Sequence, residues 1–91
     1  MLTVPFYLGE DKRLIFEVTA RDGRPFSILS ASWTLQDDSG NLISSGAGQI
    51  DDMNGTIAVQ IKPSQKGRMI LEIQYVIGLE TLIERVELSI C

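Results

Sequence analysis

Residues 50–75, IDDMNGTIAVQIKPSQKGRMILEIQY, decide the fold, because apolar side chains recur there at every second position between groups of turn residues. The recurring residues are Ile57, Val59 and Ile61, followed by Met69, Leu71, Ile73 and Tyr75. A period of two with one apolar face is typical of a half-buried strand in an antiparallel sheet. Asn54-Gly55 and the segment 62–67, with its proline and glycine, are turn elements. The stretch therefore predicts strand, turn, strand, turn, strand.

The same alternation extends over the rest of the chain, and no segment keeps an apolar stripe at helical spacing. Turns are predicted at Arg21-Asp22-Gly23-Arg24-Pro25, at Asp38-Ser39-Gly40-Asn41 and at Gly78-Leu79-Glu80. Strands are predicted near residues 3–8, 13–20, 31–37, 41–46, 55–61, 68–77 and 82–90, with an extra short strand at 48–51. The chain is thus predicted to be a single all-β domain, residues 1–91, in which about seven antiparallel strands form a β-sandwich.

Two details of the pattern give more specific predictions. Trp33 lies on the third predicted strand, so we expect it to fill the centre of the core. The alternative is a surface aromatic residue that stacks on a ligand. In the last strand Leu82 and Ile83 are adjacent, and Glu84 falls on the face of Val86. A bulge between Ile83 and Arg85 would restore the alternation.

Composition narrows the classes of function. The chain has 91 residues, a net charge of −4 and no run of basic residues, which disfavours nucleic-acid binding. No apolar run approaches the roughly 20 residues that span a bilayer, so we expect no membrane partner. Cys91 is the only cysteine, which rules out an intrachain disulfide and suits a reducing cytoplasm at the site of synthesis. Cys91 is either a chance terminal thiol or a covalent link between two copies.

The sequence offers little chemistry for catalysis. It has no histidine, one cysteine and no glycine-rich phosphate-binding motif, so we predict no catalytic residue, no cofactor and no metal site. The acidic doublets Asp37-Asp38 and Asp51-Asp52 are interpreted as turn residues that accept hydrogen bonds from backbone groups. The alternative for the second doublet is calcium, with Asn54 as a further oxygen ligand.

Four segments carry a resemblance to a known family. They are GRPFSILSA at 23–31, DDSG at 37–40, DDMNG at 51–55 and GRM at 67–69. In this order they resemble the immunoglobulin-like N-terminal module of phage baseplate upper proteins and related prophage tail proteins. Two positions depart from that pattern: Ser30 stands in place of a glycine, and Met69 stands in place of a tyrosine.

The resemblance implies an immunoglobulin-like antiparallel β-sandwich that is a non-catalytic structural or assembly module of a phage or prophage tail. Such a module would be made in the bacterial cytoplasm, reside in the virion and act through protein–protein contacts. Its partners would be other tail or baseplate proteins, or further copies of itself. The candidate assembly surface consists of outward apolar residues, namely Ile15, Ile70, Val76 and Leu79. The alternative is that these are singly exposed apolar residues without a role.

A different class of function is a carbohydrate-binding or adhesion β-sandwich module of a bacterial surface protein. Sugar binding usually requires exposed aromatic rings for stacking. Of the six aromatic residues, only Tyr7 and Phe26 are predicted to be free for this purpose.

Overall fold

The computed structural model describes residues 1–19 and 26–91, and these residues form eight β-strands and no helix. The strands are β1 (Thr3–Phe6), β2 (Lys12–Glu17), β3 (Ile28–Asp37), β4 (Leu42–Ala47), β5 (Gln49–Asp51), β6 (Thr56–Ile61), β7 (Gly67–Ile77) and β8 (Glu80–Ile90). The extra short strand predicted at 48–51 is β5. The turn predicted at 21–25 lies outside the described residues.

The strands form two sheets. The large sheet has the order β1-β8-β7-β3-β4, and the small sheet has the order β2-β6-β5. The predicted all-β sandwich is therefore confirmed, with one strand more than the seven expected. Every pairing is antiparallel except that of β1 with β8, which is parallel. The purely antiparallel prediction was wrong here, because β1 is followed by a crossing to β2 in the other sheet, not by a hairpin. Alternation reveals a strand's faces but not the direction of its neighbour.

The core lies between the sheets and is built from the alternating residues that the sequence indicated. The fully buried side chains are Ile57, Val59 and Ile61 of β6, Met69, Leu71 and Ile73 of β7, Leu88 of β8 and Phe6 of β1. Burying each such side chain stabilises the fold by about 1.5–3 kcal/mol. Within the described residues no polar or charged side chain is buried, so the core is held by aliphatic packing.

Trp33 is not the centre of this core. It is half-buried and packs against the margin of the buried cluster, whereas Leu71 and Ile57 are 0% exposed. Trp33 is partly exposed because its neighbour on that side is Gly46, which has no side chain to cover the ring. Gly46 belongs to β4, the outermost strand of the large sheet. A Cβ atom added to Gly46 would lie 2.9 Å from Cζ2 of the indole, so the ring extends over that glycine towards the sheet edge.

The predicted bulge in the last strand is also wrong. The register of β7 with β8 is continuous, from Gly67 opposite Ile90 to Ile77 opposite Glu80. A turn joins the two strands at the predicted place, but it has two residues, Gly78-Leu79, because Glu80 already belongs to β8. The φ angle of Gly78 is +58° and no other residue of this loop has a positive φ, which is the pattern of a type II′ turn.

The chain passes from the large sheet to the small sheet at Gly48, between β4 and β5. Its N–H donates to the carbonyl of Ala31 at 2.9 Å. A Cβ atom at this position would lie 2.8 Å from Cγ2 of Ile57 and 2.9 Å from Cβ of Ala31. Glycine is therefore required where the crossing strand approaches both sheets.

Candidate interaction surfaces

The carboxylate of Asp37 is used within the turn between β3 and β4. Oδ1 accepts hydrogen bonds from the backbone N–H groups of Ser39 and Asn41, both at 2.9 Å, and Oδ2 accepts one from Nδ2 of Asn41 at 3.2 Å. These bonds, that of the Asn41 N–H first, lower the pKa of Asp37. The interpretation of Asp37 as a turn residue is confirmed.

The second doublet is engaged in the same way. Asp51 accepts from Nδ2 of Asn54 at 2.8 Å and from its backbone N–H at 3.2 Å, and the side-chain bond is the main reason why the pKa of Asp51 is lowered. Oδ1 of Asp52 accepts the backbone N–H of Ile28 at 2.9 Å. Both carboxylates thus serve as turn and loop acceptors. In residues 1–19 and 26–91 there is no group of three or more His, Cys, Asp or Glu side chains placed to hold a metal ion.

The four candidate assembly residues are not all on one surface. Ile70 and Val76 lie half-buried on the outer face of the large sheet, which is the face directed away from the core. Leu79 is fully exposed at the tip of the β7–β8 hairpin, and Ile15, 61% exposed, lies on the outer face of the small sheet. The structure therefore brings only Ile70 and Val76 onto the same face.

Two apolar residues that the sequence analysis missed share this outer face. Leu42 is 62% exposed and stands in one cross-strand row with Gln36 and Ile70. Ile83 is 53% exposed and lies opposite Gln74. The outward position of Ile83 was missed because a bulge was predicted next to it. Continuing the alternation of Val86, Leu88 and Ile90 back towards the hairpin would have placed it outside. We call Leu42, Ile70, Val76 and Ile83 the outer apolar set.

Ion pairs lie among the outer apolar set. Arg85 contacts Glu72 directly across from it at 3.2 Å. Arg68 contacts Glu87 at 2.6 Å and lies 3.9 Å from Asp38. The outer face of the large sheet thus combines dispersed aliphatic side chains with paired charges.

The outer side of the small sheet carries a groove of about 670 Å³. Its lining includes Ala58 and Ile15, and Arg13, Glu17 and Asp51 are among the polar residues that line it. Ala58 is only 7% exposed although it is directed outward, which shows how far the flanking side chains close over it. The groove is therefore polar and charged at its walls.

The two aromatic residues predicted to be free do not form a platform. Tyr7 is 70% exposed in the connection that precedes β2. Phe26 follows β2 in the chain, is half-buried and packs against the core. Neither ring belongs to the lining of the groove.

Within the described ranges, no helix has the length and hydrophobicity needed to cross a membrane. Comparison of the chain with protein-family models, with curated proteins and with solved structures found no match.

Proposed function

We propose that the chain is a non-catalytic, immunoglobulin-like assembly module of a phage or prophage tail and that it acts through protein–protein contacts. The observation that carries this proposal is the outer face of the large sheet. Four aliphatic side chains are spread over it between arginine–glutamate pairs, and one of them, Ile83, is 53% exposed. The centre of a protein–protein interface is more apolar than the rest of the surface, and arginine is enriched there.

The strand order supports the immunoglobulin-like part of the proposal. In an immunoglobulin sandwich one sheet contains strands G, F and C, extended by C′ in variable domains, and the other contains B, E and D. Here β8-β7-β3-β4 takes the first order and β2-β6-β5 the second. Trp33 lies on β3, the strand that corresponds to C, where immunoglobulin domains carry a tryptophan.

Two features set this sandwich apart from an antibody domain. β2 and β7 contain no cysteine, so aliphatic packing takes the place of the bridge between the sheets. Met69, near the start of β7, occupies the position at which the resembled family has a tyrosine, and it is 1% exposed. Met69 therefore fills core volume at this end of the sandwich.

The tail assignment rests on the resemblance of the turn segments. The segment 37–40 leads from β3 towards β4, and the segment 51–55 leads from β5 to β6. Their acidic residues accept the hydrogen bonds that shape these turns. In such a module the turns fix the strand register, and the faces and edges of the sheets remain free for neighbouring proteins.

The test uses a tagged chain in a bacterium that is assembling tails. We expect the tagged protein to sediment with tail particles, in stoichiometric amount relative to other tail proteins. Ile83→Lys should lower its incorporation by about tenfold or more, because placing an unpaired charge in the contact costs at least about 1.4 kcal/mol.

Met53→Lys is the matched control, because Met53 is 94% exposed in the turn between β5 and β6 and the substitution adds the same charge. This variant should be incorporated normally. A chain that never sediments with the particles contradicts the tail assignment. Equal incorporation of both variants contradicts the contact through the outer face.

The groove on the small sheet favours a second candidate, a carbohydrate-binding or adhesion module. Carboxylate and guanidinium groups such as Glu17 and Arg13 suit the hydroxyl groups of a sugar, although the described residues of the lining include no aromatic ring for stacking. Binding to a glycan array that disappears in Arg13→Gln would support this candidate over the assembly module. An array without binding would exclude the sugars it displays.

A further inference from the structure

Strands at the edge of a sheet expose backbone N–H and C=O groups, and most proteins protect such edges against pairing with another chain. β1 is protected in three ways. Its Pro5 has no N–H, and the carbonyl of Pro5 accepts a hydrogen bond from Nζ of Lys12 at 3.0 Å. With four residues, β1 is also short.

The other edges carry charge or are brief. β2 contains Lys12, Arg13 and Glu17 among its six residues. β5 has three residues and ends at Asp51. The part of β8 that extends beyond its pairing with β1 contains Glu84 and Arg85. Each of these edges has a recognised protection against strand addition.

β4 has none of these protections. Its six residues, LISSGA, include no charge and no proline, and Ser44–Ala47 are all exposed. In the part of the chain that the structure describes, no strand pairs with β4 on the side opposite β3. The bulge opposite Leu35 lies at one end of the strand, before Ser44, so the segment that follows it is regular.

The hydrogen bond from the Gly48 N–H to the carbonyl of Ala31 shows which groups of β4 are free. In an antiparallel ladder, hydrogen-bonded pairs alternate with pairs that are not bonded. Gly46, two residues before Gly48, therefore bonds to Trp33 of β3. The N–H and C=O groups of Ser45 and Ala47 are consequently directed away from β3, towards the open edge.

We propose that β4 pairs antiparallel with β4 of a second copy of this chain, across a twofold axis at Gly46. This register places Ser45 opposite Ala47 of the second copy, and the reverse, so that all four free groups of each strand are paired. The two five-stranded sheets then become one continuous sheet.

Three features favour a second copy as the occupant. Residues 44–48, SSGAG, are all small, so two identical strands approach without a steric conflict on either face. The strand carries no charge, so no like charges meet along the axis although each chain has a net charge of −4. The indole of Trp33 extends over Gly46 towards this edge and is only half-buried, and the symmetric pairing covers both indoles at the axis.

The first experiment measures mass by light scattering or sedimentation equilibrium up to about 1 mM, a concentration that detects association as weak as about −4 kcal/mol. We expect a dimer whose fraction rises with concentration. Ser45→Lys should abolish it, because a lysine on an edge strand opposes strand addition.

Ser64→Lys is the matched control. Both variants change the net charge from −4 to −3, which weakens the repulsion between copies, so only the position of the lysine differs. Circular dichroism and thermal melting of Ser45→Lys at low concentration check that the fold is retained. A wild-type chain that stays monomeric throughout overturns the proposal, and so does a Ser45→Lys variant that dimerises like the wild type.

A second experiment tests the register without weakening the contact. Ser45→Cys and Ala47→Cys are each made with Cys91→Ser, given different tags and mixed under mild oxidation. The Cα atoms of a hydrogen-bonded antiparallel pair are about 5.5 Å apart, a separation that a disulfide spans. We expect the mixed disulfide to form much faster than one between Ala47→Cys and Ser39→Cys, whose cysteine lies in a turn. Equal rates overturn the register.

This inference goes beyond the proposed function and concerns a different surface. Ile83→Lys alters the outer face of the large sheet and should leave the dimer intact. Ser45→Lys alters the edge and tests only the dimer. A failure of either proposal can therefore be distinguished from a failure of the other.

Discussion

The two halves of β8 continue one alternation of inner and outer faces but have different residues and environments. In the half that ends the strand, Val86, Leu88 and Ile90 are 6%, 0% and 4% exposed. In the half that follows the hairpin turn, the residues on the same face are Glu80, Leu82 and Glu84, of which only Leu82 is even half-buried. The register with β7 is unbroken through both halves.

The difference comes from what covers the strand. β1 pairs only with Glu87–Ile90, so the half near the turn is an edge within the described residues. In the same cross-strand rows as Glu84 and Leu82, Ile73 and Tyr75 of β7 are only 1% and 6% exposed. This end of β8 is therefore exposed because it is an edge, not because the core stops short of these rows. Alternation thus identifies the inner face of a strand, and the neighbouring strand on each side determines how much of that face is buried.

The largest loss of stability is expected from a truncation in the half of β8 that ends the strand, where it pairs with β1. Leu88→Ala should lower the free energy of unfolding by about 3 kcal/mol, because it leaves a cavity at a fully buried site. Leu82→Ala, the matched truncation in the uncovered half, should cost about 1 kcal/mol or less, because its surroundings are partly solvent. Denaturant unfolding of both variants measures the difference. Equal losses would show that the edge position of Leu82 does not weaken its packing.

Trp33, Ile73 and Glu84 lie in one cross-strand row, with Ile73 in the middle. Trp33 therefore tests the margin of the core on the side opposite β8. Trp33→Ala should cost about 1.5–2.5 kcal/mol, roughly half of what a fully buried tryptophan loses. Denaturant unfolding provides the value, and Trp33→Phe, which retains most of the contact, is the control. A loss of stability larger than that of Leu88→Ala would show that Trp33 does lie at the centre of the core.

The two ends of the large sheet should also respond differently to acid. The β3–β4 turn is held by the carboxylate of Asp37, whereas the β7–β8 turn depends on a glycine that does not titrate. The folded-state pKa of Asp37 is lowered, so its stabilisation is present above the ordinary value of about 3.9 and is lost as the pH falls through the folded-state value.

Asp37→Ala should therefore lower the melting temperature at neutral pH more than Asp38→Ala does, and this difference should shrink in acid. Thermal melts of the two variants across the acidic range measure it. A difference that persists unchanged at the lowest pH would mean that the charge of Asp37 is not what stabilises the turn.

The smallest effect on stability is expected from a substitution of Glu84. On the inner face of the sheet, Glu84 lies one row away from the pair formed by Tyr75 and Leu82. Burial, and then the negative charge of Glu84, raise the pKa of Tyr75. Glu84→Gln should lower that pKa towards the ordinary value while leaving it raised, and should hardly alter stability at neutral pH. Ultraviolet absorbance titration of the phenol provides the measurement. The raised pKa also means that Tyr75 contributes stability below the ordinary value of about 10, which is lost as the pH rises through the folded-state value.

Glu80→Gln is the control for this titration, because Glu80 lies two residues from Leu82 on the side opposite Glu84 and is not among the causes of the raised pKa. It should change the pKa of Tyr75 less than Glu84→Gln does. An unchanged pKa in Glu84→Gln would leave burial as the sole cause.

Local chemistry in the sequence predicted the faces and the turns. The alternation of Met69, Leu71 and Ile73 placed these residues inside, and the acidic residues at 37 and 51 were correctly assigned to turns. These properties depend on neighbours close in the chain, which a sequence displays directly.

Properties that depend on partners distant in the chain were not predictable in the same way. The parallel pairing of β1, the partial exposure of Trp33 and the outward position of Ile83 all follow from which strand lies beside which. The unprotected edge of β4 is of the same kind, because LISSGA is an ordinary strand until its position at the margin of the large sheet is known. Ile15 and Leu79 were correctly predicted to be exposed, but only the topology shows that they do not share a face with Ile70 and Val76.

The parallel pairing of β1 with β8 has a mechanical consequence. Because the two strands run in the same direction, tension applied between Met1 and Cys91 pulls them past each other along their length. The hydrogen bonds of that ladder are then loaded in shear and must rupture together. Tension applied at Met1 and Leu79 would instead peel the same ladder open one bond at a time, so the force that the domain withstands should depend on where it is attached.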